Sequence, residues 1–246
     1  MGLEGALTLS GHGGAMTRIA LFALLLTAAA PAAAAERSYP VTDFDRVQIE
    51  GPYEVTLVTG GASAARGIGS EAALERVTVE VQSGLLRIHP NRSAWGGYPG
   101  GNAGPVKIAV STRDLRLATV IGASTLRIDR LRGLRADVSL SGSGRIEIGR
   151  IDADVLNVGV IGSGRIAAAG AAKQVRATVQ GSADLAAAGL VAEDLVLNAE
   201  TAGTIAIAAR RTAKVKSGGS GNVEVGGSPA CTVTATGAGQ VRCAGH

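Results

Sequence analysis

Apolar and polar residues alternate along the second half of the chain, and the alternation restarts at a fixed interval. Each restart carries a short phrase of small residues: Gly142-Ser143-Gly144, Gly162-Ser163-Gly164, Gly181-Ser182-Ala183 and Gly219-Ser220-Gly221. Looser copies begin at Gly122, Thr201 and Gly237. Successive starts lie 20, 20, 19, 20, 18 and 18 residues apart. Aligned on this phrase, the flanking residues fall into columns. Before it stand Ala136, Leu156, Val175, Leu195, Ala213 and Cys231, then Val138, Val158, Ala177, Leu197, Val215 and Val233. After it stand Leu126, Ile146, Ile166, Leu185, Ile205, Val223 and Val241, then Ile128, Ile148, Ala168, Ala187, Ile207, Val225 and Cys243. Between the columns lie Arg145, Glu147, Arg165, Thr178, Asn198, Lys214, Lys216 and Glu224, which are expected to face solvent. A period of two within each stretch is the mark of a half-buried strand.

A fixed repeat near 20 residues means one unit stacked on itself. Each unit reads as strand, Gly-rich corner, strand and a shorter link. One unit cannot bury its apolar face alone, whereas stacked units bury a continuous aliphatic column. The pattern predicts an all-β chain, a parallel β-solenoid of about six coils of 18–20 residues over 118–246. An antiparallel sandwich or meander also suits short strands with regular turns. Hairpins would mirror the pattern, and here same-position residues match from coil to coil.

The segment 41–117 is less regular and is expected to be a β-rich front part continuous with the solenoid. Phe44 to Glu50 and Tyr53 to Val58 alternate as strands around Gly51-Pro52, and Val77 to Val81 pairs by pattern with Leu85 to Ile88 around Ser83-Gly84. Glu71 to Arg76 reads as a short helical turn, and residues 93–105 as a loop by their Gly and Pro content. Ahead of all this, Met16-Thr17-Arg18 opens an apolar run that ends in Ala33-Ala34-Ala35, the form of a secretory signal peptide over 16–35 cleaved after Ala35. Residues 1–15 then read as an over-extended gene start. Once that leader is removed, no segment has the roughly 18–20 apolar residues of a transmembrane helix.

Composition sharpens this picture. The chain of 246 residues holds 36 Gly and only 2% aromatics, so its core must come from Val, Ile, Leu and Ala, which fill thin repetitive layers. The net charge of +4 is carried by scattered Lys and Arg with no aromatic interleaving, which argues against a nucleic-acid partner.

Cys231 and Cys243 each stand six residues from Gly237 and point inward on the two strands of the last corner. In an exported chain they are expected to form a disulfide closing the terminal coil. No His or acidic cluster accompanies them, so no metal is assigned, and no cofactor site is read anywhere. His12 precedes the expected cleavage site, His246 is the last residue, and His89 ends a strand, so no Ser-His-Asp set assembles. The corners lack the Lys and the strand-to-helix setting of a phosphate loop. Asp129, Glu147, Asp152, Asp154, Asp184, Glu193 and Asp194 could supply the carboxylate pair of a polysaccharide-active β-helix enzyme, but they share no column and read as solvated charge. Trp95 and Tyr98, two of six aromatics, fall in the Gly-rich loop, where they either contact a ligand or fold over an open solenoid edge.

The leader, the opening phrase Phe44-Asp45-Arg46-Val47-Gln48-Ile49-Glu50-Gly51 with Tyr53-Glu54-Val55-Thr56-Leu57, and the repeated Gly-Ser-Gly-x-Ile resemble the putative auto-transporter adhesin, head GIN domain family. The resemblance spans nearly all of 41–243. It implies a β-helical exported protein of the bacterial envelope, periplasmic or at the cell surface, with no catalytic residues to carry over. The expected activity is non-enzymatic binding or adhesion, with a cell-surface polysaccharide or an envelope protein as the partner. The Gly-rich insertion around Trp95 and the terminal Cys pair depart from the family pattern.

Overall fold

The computed structural model describes residues 35–91 and 104–244. The signal-peptide segment and the Trp95–Tyr98 pair lie outside the described residues. The front of the chain runs β1 (Ala35–Tyr39), β2 (Arg46–Glu50), β3 (Glu54–Thr59), β4 (Ala64–Gly69), a short helix α1 (Glu71–Glu75), β5 (Val77–Gln82), β6 (Leu85–Pro90), β7 (Lys107–Thr112) and β8 (Leu117–Gly122). The repeats supply β9 (Thr125–Gly142), β10 (Arg145–Gly162), β11 (Arg165–Gly181), β12 (Asp184–Thr201) and β13 (Thr204–Ser217). β14 (Asn222–Gly227), β15 (Ala230–Ala235) and β16 (Val241–Cys243) finish the described chain.

From β9 onward the pairing is parallel and follows the columns read from the sequence. Leu126 pairs with Ile146 and Ile146 with Ile166, while Val138 pairs with Val158 and Val158 with Ala177. The same register continues through Leu197 with Val215 and Val215 with Val233. The fold is therefore the parallel solenoid, and the sandwich alternative is excluded. The column residues from Leu126 to Val225 are buried, and small aliphatic side chains fill the thin interior.

The link differs from the expectation of a short connector. Each of β9 to β13 is one bent strand of 14 to 18 residues that passes through the link still hydrogen-bonded. Leu131 pairs with Ile151 and Arg132 with Asp152, so the link forms a third parallel face. Its inward side chains, among them Leu131, Ile151, Leu190 and Ala209, are buried as fully as the two main columns. The sequence hides this column because the coils differ there by one or two residues, absorbed as register shifts between Ile148 and Ile151 and between Ala187 and Val191.

The corners explain the small residues. Ser143, Ser163 and Ser182 donate their backbone N–H to Gly122, Gly142 and Gly162 of the preceding coil. Gly142, Gly162 and Gly181 carry φ of +121°, +118° and +96°, and a Cβ on Gly162 would lie 2.5 Å from the Gly142 carbonyl oxygen. Only glycine accepts both that backbone angle and that approach.

The front part stacks on the same ladder out of sequence order. β2 lies between β6 and β8, and β3 lies between β7 and β9. The layer formed early in the chain thus lies between two later ones. Antiparallel strands finish this end: β5 on β6, β4 on β7, and β1 on β4. Phe44 and Tyr53 are buried here, so the front part uses aromatics that the solenoid core lacks.

The change from irregular to regular corner rests on one hydroxyl. Ser124 stands where later corners have Gly or Ala, is fully buried, accepts from the Tyr53 N–H at 3.2 Å, and donates to the Gly51 carbonyl. Ser124→Ala is expected to leave both backbone groups without that partner and to cost about 1–3 kcal/mol. Chemical denaturation of the two proteins measures the difference, and equal midpoints would contradict this role.

Candidate functional site

The link face of the first coils forms an open groove of about 740 Å³. Three consecutive passes of the chain line it. Asp114, Leu115 and Arg116 come from the turn before β8, residues 132–135 from the bend of β9, and Asp152, Ala153 and Asp154 from the bend of β10. Asp45 and Asp137 complete it. Parallel pairing places the bends one above another, so polar side chains that alternate with the buried Leu131 and Ile151 project to one side.

Most of these charges hold one another. Asp45 pairs with Arg116, Asp114 with Arg132 at 3.3 Å, and Asp154 with Lys173 at 2.8 Å, while Asp137 accepts from the Asn157 amide at 2.7 Å. Arg135 and Asp152 are exposed and have no ion-pair partner among the described residues. Leu134 stands between them, largely in solvent. A smaller depression of about 300 Å³ shares Asp137 and continues over the outward face of β9, β10 and β11, where Ser139, Asn157, Arg176 and Thr178 line it. The combined surface offers hydroxyls, an amide, the cations Arg135 and Arg176 without an ion-pair partner among the described residues, and the carboxylate of Asp152, which suits a polar, hydroxyl-rich ligand.

The carboxylates named from the sequence separate into two groups. Asp152 and Asp154 enter the groove, which the column argument did not foresee, because they sit on the link whose ladder it missed. Asp129, Asp184 and Asp194 instead accept hydrogen bonds across coils. Asp129 takes the Thr59 N–H at 2.9 Å, Asp184 takes the N–H and hydroxyl of Thr204, and Asp194 takes Arg211 and the Thr212 hydroxyl. Hydrogen bonds from the backbone and hydroxyl of Thr204 lower the Asp184 pKa, with Arg165 adding a smaller pull. Arg211 and Thr212 lower that of Asp194 to about 2. Both groups are held ionised, the opposite of what a general acid at neutral pH requires. Glu147 lies between Arg127 and Arg145, and Glu193 is exposed.

The remaining sequence candidates find structural places. In the corners the N–H groups of Ser143, Arg145, Ser163, Arg165, Ser182 and Asp184 are already taken by carbonyls of the coil before, so they are not open to a phosphate. His89 pairs with Glu80 across the β5–β6 hairpin at 3.4 Å. Cys231 and Cys243 form a disulfide, with Cα atoms 6.7 Å apart. Trp95 and Tyr98 lie outside the described residues. Among the described residues no group of three or more His, Cys, Asp and Glu could hold a metal ion, and no helix is long and apolar enough to cross a membrane.

Comparison with known proteins gives a consistent outcome. The family model described as "Putative auto-transporter adhesin, head GIN domain" matches residues 43–229. No curated protein matches significantly. Among solved structures, a putative adhesin from Bacteroides fragilis superposes with a TM-score of 0.78 at 19% identity, covering 85% of this chain and 96% of that one. A putative lipid binding protein from Parabacteroides distasonis has a TM-score of 0.67 at 20% identity, covering 86% and 96%. A putative adhesin from Parabacteroides merdae has a TM-score of 0.62 at 15% identity, with the same coverage. At these identities the structures establish the shared fold.

Proposed function

The chain belongs to the head GIN domain family of putative auto-transporter adhesins, and we propose that it is an exported, non-enzymatic binding module of the bacterial cell envelope. Its ligand class is a cell-envelope polysaccharide, held along the link-face groove. The observation that carries this reading is the pairing state of the groove. Four of its five aspartates are engaged, which fixes the walls, while Arg135 and Asp152 are left to meet a ligand. Family members and fold relatives are named as adhesins, not as enzymes. One relative is named a lipid binding protein. An acyl chain suits this chain poorly, because the solenoid interior is filled by its own side chains and the groove presents several charges with Leu134 as its one exposed large apolar side chain.

Retention of the mature chain on purified envelope polysaccharides, or on whole cells, tests the reading. We expect binding at low salt that falls at least tenfold in Arg135→Ala/Asp152→Ala, with the fold unchanged by circular dichroism. No retention on either support at low salt would sink the proposal. Release of new reducing ends from the polysaccharide would instead favour a carboxylate-based hydrolase built on Asp152 and Asp154.

A further inference from the structure

The two ends of the stack are finished differently. At the front, antiparallel β1 and β5 lie outermost, β4 lies just inside β1, and α1 packs against all three. β1 carries Glu36 and Arg37, Glu36 pairs with Arg66 on β4, and β5 carries Glu80. Short charged strands and a covering helix are the devices by which proteins protect a sheet edge from further pairing.

In the last coil β16 is short and carries Arg242, but β15 has no charge, and no described helix covers it. β15 pairs only with β13, and β16 only with β14, so among the described residues their outer edges are unpaired. β15 reads Ala-Cys-Thr-Val-Thr-Ala, without a charge or a proline. Val233 continues the inward column of Leu197 and Val215, yet it is 43% exposed where both of those are buried. Thr236 donates its N–H to Ser217 on β13. By the strand alternation, Val233 and its alternate neighbours turn their N–H and C=O groups to the free edge. The disulfide to Cys243 ties this strand to its own coil.

We propose that this edge is a self-association surface through which two copies of the chain pair tail to tail, β15 against β15, about a two-fold axis. A head-to-tail stack would need the front end, where the outermost strands are charged and covered. A two-fold pair needs only the open edge twice, and closes. Centring the pairing on Val233 sets Cys231 opposite Ala235 of the second copy and Thr232 opposite Thr234, so every inward side chain stays inward. Val233 then covers its own counterpart. The pairing meets no charge at the interface strand. Lys214 and Lys216 stand one strand behind, in register with Thr232 and Thr234. Across the axis they would be about three strand spacings, roughly 14 Å, from their counterparts, beyond the screening length of about 8 Å in physiological salt.

The segment 92–103 of the same chain competes poorly for this place. The path from β7 to β16 passes eight strand-to-strand steps, about 38 Å at 4.8 Å each. Residues 92–103, attached beside β6 and β7, could reach out and return over only about 20 Å.

Light scattering of the mature chain, residues 36–246, from about 1 to 100 µM tests the proposal. The expected result is twice the monomer mass at the upper concentrations. Thr232→Glu/Thr234→Glu sets like charges opposite one another on the solvent side, while within the coil they stand beside the oppositely charged Lys214 and Lys216, and should return the monomer mass. Val233→Lys should do the same, with intact secondary structure checked by circular dichroism. A monomer across the whole range overturns the proposal, and so does a dimer that survives both variants.

Discussion

Gly162→Ala should lower the stability of the protein by about 2–5 kcal/mol, while Ser163→Ala beside it should change stability by less than about 0.5 kcal/mol. The contrast follows from corner geometry. At Gly162 the backbone has φ of +118°, and an added Cβ would press to 2.5 Å from the Gly142 carbonyl oxygen, an atom of the adjacent coil that cannot rotate away. Strain at such a φ is worth about 1–3 kcal/mol, and packing an extra atom against rigid backbone adds a similar amount. The Ser163 side chain is exposed, and what the corner uses is its N–H, which alanine keeps. A typical domain has about 5–15 kcal/mol in all, so the glycine change consumes a large fraction. Urea denaturation of both variants measures it; equal midpoints would show that the corner does not rely on close backbone approach.

Removing the disulfide with Cys231→Ser/Cys243→Ser should cost about 3 kcal/mol, the chain-entropy value for a loop of this length. The loss should be local. In a stacked repeat each coil leans on its neighbours, and the last coil has a neighbour on one side only. Hydrogen exchange should therefore speed up in β15 and β16 while β9 to β12 keep their protection. Uniform acceleration along the whole stack would contradict this. Thiol titration of the denatured, unreduced mature chain should find no free cysteine, in line with the bond between the two sulfurs.

The parts of the fold that repeat in register were open to reading from the residues. The Gly-Ser-Gly corners and the Leu126 and Val138 columns follow because parallel stacking puts the same position of each coil into the same environment. Cys231 and Cys243 were legible for the same reason, as members of inward columns on either side of one corner. The link column was not. Leu131, Ile151 and Leu190 are as buried as the rest and stand at one spacing from Leu126, Ile146 and Leu185, but the coils of β11 and β13 are shorter there and break the column at Gly170 and Ala208. With that column went the groove. Arg135, Asp152 and Asp154 look like scattered charges until the bends of β9 and β10 are stacked.

Sequence alone determined the coil length, the corner residues, the small aliphatic core and the cysteine pairing, because each depends on contacts that recur at one spacing. Only the tertiary structure decided the layer order at the front, where β2 and β3 slip between strands that come later in the chain. It alone decided the antiparallel finish of one end, the open edge of the other and the gathering of the groove. Those features join residues that are far apart in the chain by distances that do not repeat, and no periodic pattern of hydrophobic and polar positions encodes a contact made once.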